Sequence, residues 1–163
     1  GIFYEDNCAG TVWMLYCRRF EKIEEPLYYY YQHGVSTVHH ITEQKCRDRM
    51  SAGELMVMEC SSRGFLTKYR TEIEFRFAEI YYITTLFSYM SGVRRRKLSF
   101  LAELRDGMRK SFPDFQNNPY YLSEIGAEER KLAKIHQKSN SGFYCYYILL
   151  NAYRKWMKKM RRQ

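Results

Sequence analysis

Between Thr42 and Gly92 the apolar residues recur at helical intervals, and this pattern limits what the chain can fold into more than any other feature. Cys46, Met50, Gly53, Val57 and Cys60 follow one another at steps of four, three, four and three, with Gly64 behind them as a stop signal. Tyr69, Ile73, Phe77, Ile80, Thr84 and Phe87 form a second stripe, widened by Phe75, Tyr81, Tyr82 and Leu86, and Gly92 is placed as its C-terminal cap. A face that wide predicts burial on more than one side. Past a basic turn at Arg94-Arg95-Arg96-Lys97, Ser99 can cap a helix carrying Leu101, Leu104, Met108 and Phe112, which Pro113 ends. Residues 113–126 read as a turn-prone connector around Tyr120-Tyr121, and 127–138 as a short polar helix with Leu132 and Ile135 on its apolar face. Ser141 is a candidate cap for a last helix from Phe143 to about Arg162. With 163 residues, 45% of them hydrophobic, the chain can bury a core, and 3 Pro with 9 Gly favour helices over a turn-rich β protein.

Charge is unevenly distributed. Residues 1–91 carry 10 basic and 12 acidic groups, residues 92–112 carry 7 and 2, residues 113–142 carry 4 and 4, and residues 143–163 carry 6 and 0. The net charge of +9 therefore sits in two places, each able to meet nucleic acid, an anionic membrane surface or an acidic partner. No apolar run approaches the roughly 18 residues that a bilayer span needs. Cys8, Cys17, Cys46, Cys60 and Cys145 are odd in number and widely spaced, so they read as small buried residues in a reducing compartment, with no disulfide framework or zinc site. The chain opens without Met and on chemically suggestive residues, and reads as a piece of a longer one.

Three stretches carry candidate chemistry. In Phe3-Tyr4-Glu5-Asp6-Asn7 two adjacent carboxylates stand where a loop turns into the apolar helix beginning at Cys8, with Asp6 and Asn7 as cap types and both acids at the positive helix end. An Asp held there is either a plain cap or a general base towards a hydroxyl. In the last helix Phe143, Tyr146, Tyr147, Leu150, Tyr153, Met157 and Met160 share a side, while Arg154, Lys155, Lys158, Lys159, Arg161 and Arg162 crowd the C-terminal half around Trp156. Such a helix suits the membrane interface, and equally suits packing on its own domain with a solvated basic end. After Pro26, Leu27-Tyr28-Tyr29-Tyr30-Tyr31 predicts one or two short strands, followed by a polar loop from Gln32 to His40. The tyrosines of that run are either a stacking platform or the alternating faces of a strand. His33, His39 and His40 lack a carboxylate or thiol partner at metal spacing and read as loop histidines.

Taken together, Phe3-Tyr4-Glu5-Asp6-Asn7, the apolar helix after it, and Ile23-Glu24-Glu25-Pro26-Leu27-Tyr28-Tyr29-Tyr30 leading to Gln32-His33-Gly34-Val35-Ser36-Thr37 resemble the C-terminal part of family 2 glycosyltransferases. The resemblance is strongest over residues 1–40 and looser beyond. It implies that residues 1–41 are the acceptor-side edge of a GT-A catalytic domain, a small α/β remnant. Residues 42–142 would be a bundle-like helical extension, and 143–163 a basic amphipathic helix. Members transfer a sugar from a nucleotide donor to an acceptor hydroxyl with inversion. On that likeness Asp6 is the general base, Glu5 shapes the acceptor site, and Gln32, His33, Ser36 and Thr37 lie on the donor diphosphate side.

The resemblance also implies a nucleotide sugar and a glycan or lipid-linked acceptor as partners of the complete enzyme. A divalent cation, Mg or Mn, would be its cofactor, but this chain carries no D-x-D to hold one. Tyr31 stands where the family often has Arg, and the nucleotide-binding half is lacking, so the chain by itself is expected to be inactive. Arg154, Lys155, Trp156, Lys158, Lys159, Arg161 and Arg162 would meet an anionic membrane surface, placing the protein in the cytoplasm, peripheral on the inner face of the membrane. The alternative is an independent basic helical module that binds nucleic acid or an acidic protein through Arg94 to Lys97 and the tail. Nucleic acid is the weaker of these partners, because its binding does not require the tail's wide apolar face.

Overall fold

The computed structural model describes residues 3–29 and 40–161. Its elements are helical, and no strand occurs among the described residues. The chain divides into two compact units, Gly1–Arg95 and Arg96–Gln163.

In the first unit, α1 (Glu5–Tyr16) packs on α2 (Glu43–Ser62). Helix α2 starts where the Thr42 hydroxyl accepts the Lys45 N–H at 3.2 Å. Its buried face holds Cys46, Met50, Gly53, Met56 and Cys60, with Val57 only half-buried. Gly64, at φ 75°, turns the chain into the single-turn α3 (Phe65–Lys68). Next comes a long rod made of α4 (Arg70–Phe77), a π-helical segment (Ala78–Thr84) and α5 (Thr85–Gly92).

The π segment alters the stripe expected for this rod. Ile73, Phe77 and Ile80 are buried as the spacing predicts, but Thr84 is exposed and Thr85 is buried in its place. A π turn spends one more residue than an α turn. The Thr85 hydroxyl accordingly donates to the carbonyl of Ile80, five residues back, at 3.0 Å. Phe77 stacks on Tyr81, ring centroids 4.5 Å apart, over Gly53, where an added Cβ would lie 3.1 Å from that of Tyr81.

Gly92 is the last helical residue; the cap position belongs to Val93, in extended conformation. The glycine serves close approach, because a Cβ there would come within 2.5 Å of the Ile41 Cβ. Gly92→Ala is expected to cost about 1–3 kcal/mol through this overlap. The check is a lower midpoint in urea unfolding with an unchanged slope.

The expected strand is not formed at Leu27-Tyr28-Tyr29, which have no regular structure and expose 77%, 81% and 85% of their surface. Strand propensity expresses packing against cross-strand neighbours, and the described residues hold no second strand. Tyr30 and Tyr31 lie outside the described residues.

The second unit comprises α6 (Leu98–Ser111), a 3-10 turn (Phe115–Asn117), α7 (Pro119–Glu124), α8 (Ala127–Lys138) and α9 (Asn140–Met160). Helix α6 buries Phe100, Leu101, Leu104 and Met108. Ser99 lies inside α6, whose N-cap is Lys97 with no side-chain bond, so the expected Ser99 cap is not made. The connector contains a helix that the expected turn did not include. The Asn118 carboxamide accepts the N–H groups of Tyr120 and Tyr121 at 3.0 and 3.3 Å, and Pro119 occupies the first helical position, where it loses no bond. Glu129 reaches back to the Gly126 N–H at 3.3 Å to start α8. Ser139, rather than Ser141, caps α9 by accepting the Gly142 N–H at 3.0 Å. Helix α9 packs on α8 and α6.

Candidate functional site

Glu5 and Asp6 occupy the first turn of α1, exposed to solvent. Neither Asp6 nor Asn7 is the cap, because the helix already begins at Glu5. The preceding Tyr4 takes the cap position in the left-handed region (φ 68°, ψ 26°) without a side-chain cap bond. The Asp6 Oδ1 accepts the Asn7 N–H at 2.9 Å, and the Asn7 amide donates to the Tyr4 carbonyl at 3.4 Å. Asp6 Oδ2 has no protein donor among the described residues, so one carboxylate oxygen is held and the other is open to a proton donor. Glu5 is brought beside it by sequence adjacency alone.

Gln32, His33, Ser36 and Thr37, the expected diphosphate-side residues, lie outside the described residues. His40, at the end of that segment, is exposed, and its carbonyl accepts the Lys45 ammonium at 2.7 Å. No group of three or more His, Cys, Asp or Glu is arranged to hold a metal among the described residues. The cysteines are free thiols, and the expectation of burial holds for Cys46 and Cys60 but fails at Cys17 and Cys145, which are exposed. Burial pushes the Cys46 thiol up to about 11, so it is an inert packing group.

The tail residues are brought together. Arg154, Lys155, Trp156, Lys158, Lys159 and Arg161 are all exposed along the C-terminal half of α9, and Arg162 lies outside the described residues. Arg154 pairs with Glu128 of α8, which fixes one base onto the unit. Leu149, Tyr153, Trp156 and Met160 expose between 54% and 69% of their surface, so much of the apolar side of α9 is not packed on protein. No helix among the described residues is long and apolar enough to cross a membrane.

Two buried ionisable residues were not singled out by the spacing. Arg49 is buried between Met50 and Asp48 on α2. An Arg interrupting a buried stripe was the available signal. His136 is fully buried on α8, where its Nε2 bonds the Leu101 carbonyl at 3.1 Å and its ring lies 4.9 Å from Phe143. Burial lowers its pKa to about 4, and the nearby Arg105 and Arg109 add to the shift while the Leu101 bond and Asp106 oppose it. The neutral ring is therefore the folded form. Stability is complete above pH 6.5, the ordinary His value, and is lost as the pH falls through about 4. The loss reaches about 3 kcal/mol. Urea titrations at pH 7 and pH 4 measure it, and in His136→Gln the part of the pH dependence between those values should disappear.

No protein-family model matches this chain, and no curated protein or solved structure is significantly similar to it.

Proposed function

We propose that this chain is the acceptor-side and helical C-terminal portion of an inverting GT-A type glycosyltransferase, in which residues preceding Gly1 supply the nucleotide-sugar site. It acts on a glycan or lipid-linked acceptor in cell-surface polysaccharide assembly, at the cytoplasmic face of a membrane. The observation that supports this reading most is Asp6, exposed at the start of α1 with one carboxylate oxygen held by the Asn7 N–H and the other uncommitted. A single-displacement transfer with inversion needs one such base and no covalent intermediate. The divalent cation of the complete enzyme would belong to the donor-binding part. Transfer of labelled sugar from nucleotide donors to lipid-linked acceptors by the longer polypeptide is the test. Failure with every donor under conditions where the protein is folded would remove the reading.

The tail supports the membrane part of the proposal. Four exposed bases, Lys155, Lys158, Lys159 and Arg161, surround the apolar Tyr153, Trp156 and Met160. Each base near an anionic leaflet contributes on the order of 1 kcal/mol. Replacing these four by Gln should weaken flotation with phosphatidylglycerol-containing vesicles at least about tenfold. Binding to phosphatidylcholine alone should change little, and equal loss on both lipids would argue against charge-led attachment.

A second reading has its own support in the absence of any acidic residue from 143–163. An independent basic module would bind nucleic acid through these groups, with affinity falling steeply as salt rises. A mobility-shift assay at low salt separates the two readings.

A further inference from the structure

Beside α1 the first unit contains a cavity of about 300 Å³ whose lining includes Tyr4, Asn7, Arg49, Arg76 and Glu79. Arg49 dominates it. This residue is 7% exposed, yet it forms no ion pair among the described residues. Its Nη1 donates to the Ser88 hydroxyl at 3.1 Å and to the Thr84 carbonyl at 3.5 Å, and the guanidinium lies over the Tyr4 ring, 4.2 Å from its centroid. A guanidinium has five N–H donors. Nε and Nη2 find no acceptor among the described residues, and the residue lines the cavity. Buried charges are ordinarily paired, and here the neighbouring carboxylates are already engaged. Glu79 pairs with Arg76 at 2.5 Å, and Asp48 accepts from Gln44 at 2.8 Å.

Two backbone features point the same way. Tyr4 holds an unfavourable left-handed conformation to put its ring against Arg49. Glu79, Ile80 and Thr84 of the π segment also line the cavity, and such a distortion is frequent at functional sites.

We propose that this cavity binds the oxyanion group of a small hydroxylated ligand, a carboxylate or a phosphate, with Arg49 as its counter-ion. The lining carries two guanidinium groups and one carboxylate, which leaves it net positive. Glu79, lining the same space, accepts a hydroxyl of the ligand. The Asn7 amide supplies a further polar contact. This assignment does not depend on a glycosyltransferase activity.

Calorimetric titration of the full chain at constant ionic strength tests it, with D-glucuronate, glucose 1-phosphate and neutral glucose as probes. At least one charged probe should bind at least about tenfold more tightly than glucose, as expected for charge-assisted hydrogen bonds. Which of the two is preferred identifies carboxylate or phosphate as the group held. Arg49→Gln should remove the difference between charged and neutral probes. Because that variant changes a buried position, Thr84→Glu provides a second one. It adds negative charge at an exposed residue of the cavity rim and should weaken the charged probe at least about tenfold while leaving the circular dichroism spectrum unchanged. No binding of either charged probe, or charged binding that survives both variants, would overturn the proposal.

Discussion

In a polypeptide that also carries a nucleotide-sugar site, Asp6→Asn is expected to lower sugar transfer by about 10²–10⁴-fold, the usual contribution of a general base. The substitution changes one property cleanly. An Asn carboxamide oxygen can still accept the Asn7 N–H that Asp6 Oδ1 holds at 2.9 Å, so the first turn keeps its bond. What disappears is the capacity to take a proton from an acceptor hydroxyl. Loss of a negative charge at a helix N-terminus should cost only about 0.3–1 kcal/mol of stability. The turnover number should therefore fall while the thermal midpoint hardly moves. Turnover within tenfold of the unmodified enzyme would remove Asp6 from the mechanism. Glu5→Gln, on the reading that Glu5 shapes the acceptor site, should act mainly on the Michaelis constant for the acceptor.

Phe143→Ala should have the largest effect on stability, about 3–5 kcal/mol, the usual cost of emptying a fully buried aromatic site. Phe143 is the one buried residue of α9, with its ring 4.9 Å from His136 and 5.8 Å from Tyr147. Truncation would leave His136 beside a void and loosen α9 from α8 and α6. Hydrogen exchange should report this as faster exchange of α9 amides, with the first unit little changed. Leu149→Ala on the same helix, at a site 69% exposed, should stay within about 0.5 kcal/mol. Similar losses in the two variants would show that α9 is not anchored through Phe143. The effects of Phe143→Ala and His136→Gln should not add, because the two rings touch.

Element existence was far more legible than element detail. Spacing located α2, the long rod, α6, α8 and α9 because each buries a recurrent apolar face, and burial dominates helix stability in a folded chain. Caps were misplaced at Asp6, Ser99 and Ser141 for a common reason. Several cap-competent residues lie within one turn of each helix start, and the backbone uses the one whose position suits the entry of the chain. Asn118-Pro119 carried a helix-start signature, but the proline and asparagine also read as turn residues. The strand reading failed at Leu27-Tyr28-Tyr29 because propensity cannot supply a partner strand. At the candidate site, the adjacency of Glu5 and Asp6 was plain in the sequence. Arg49 was not, because its significance depends on Ser88 and Thr84, 39 and 35 residues away in the chain.

The π segment also makes the rod one residue longer than its buried face requires. A single deletion within Ala78–Thr84 could therefore be absorbed by a return to ordinary α-helical register, leaving Thr85, Leu86 and Tyr89 on the inner side. The same deletion in α2 would rotate everything after it by about 100° and expose the core. The extra residue thus acts as slack in the rod. Taking it out would straighten the wall beside Arg49 and shift the Thr84 carbonyl to which that guanidinium bonds.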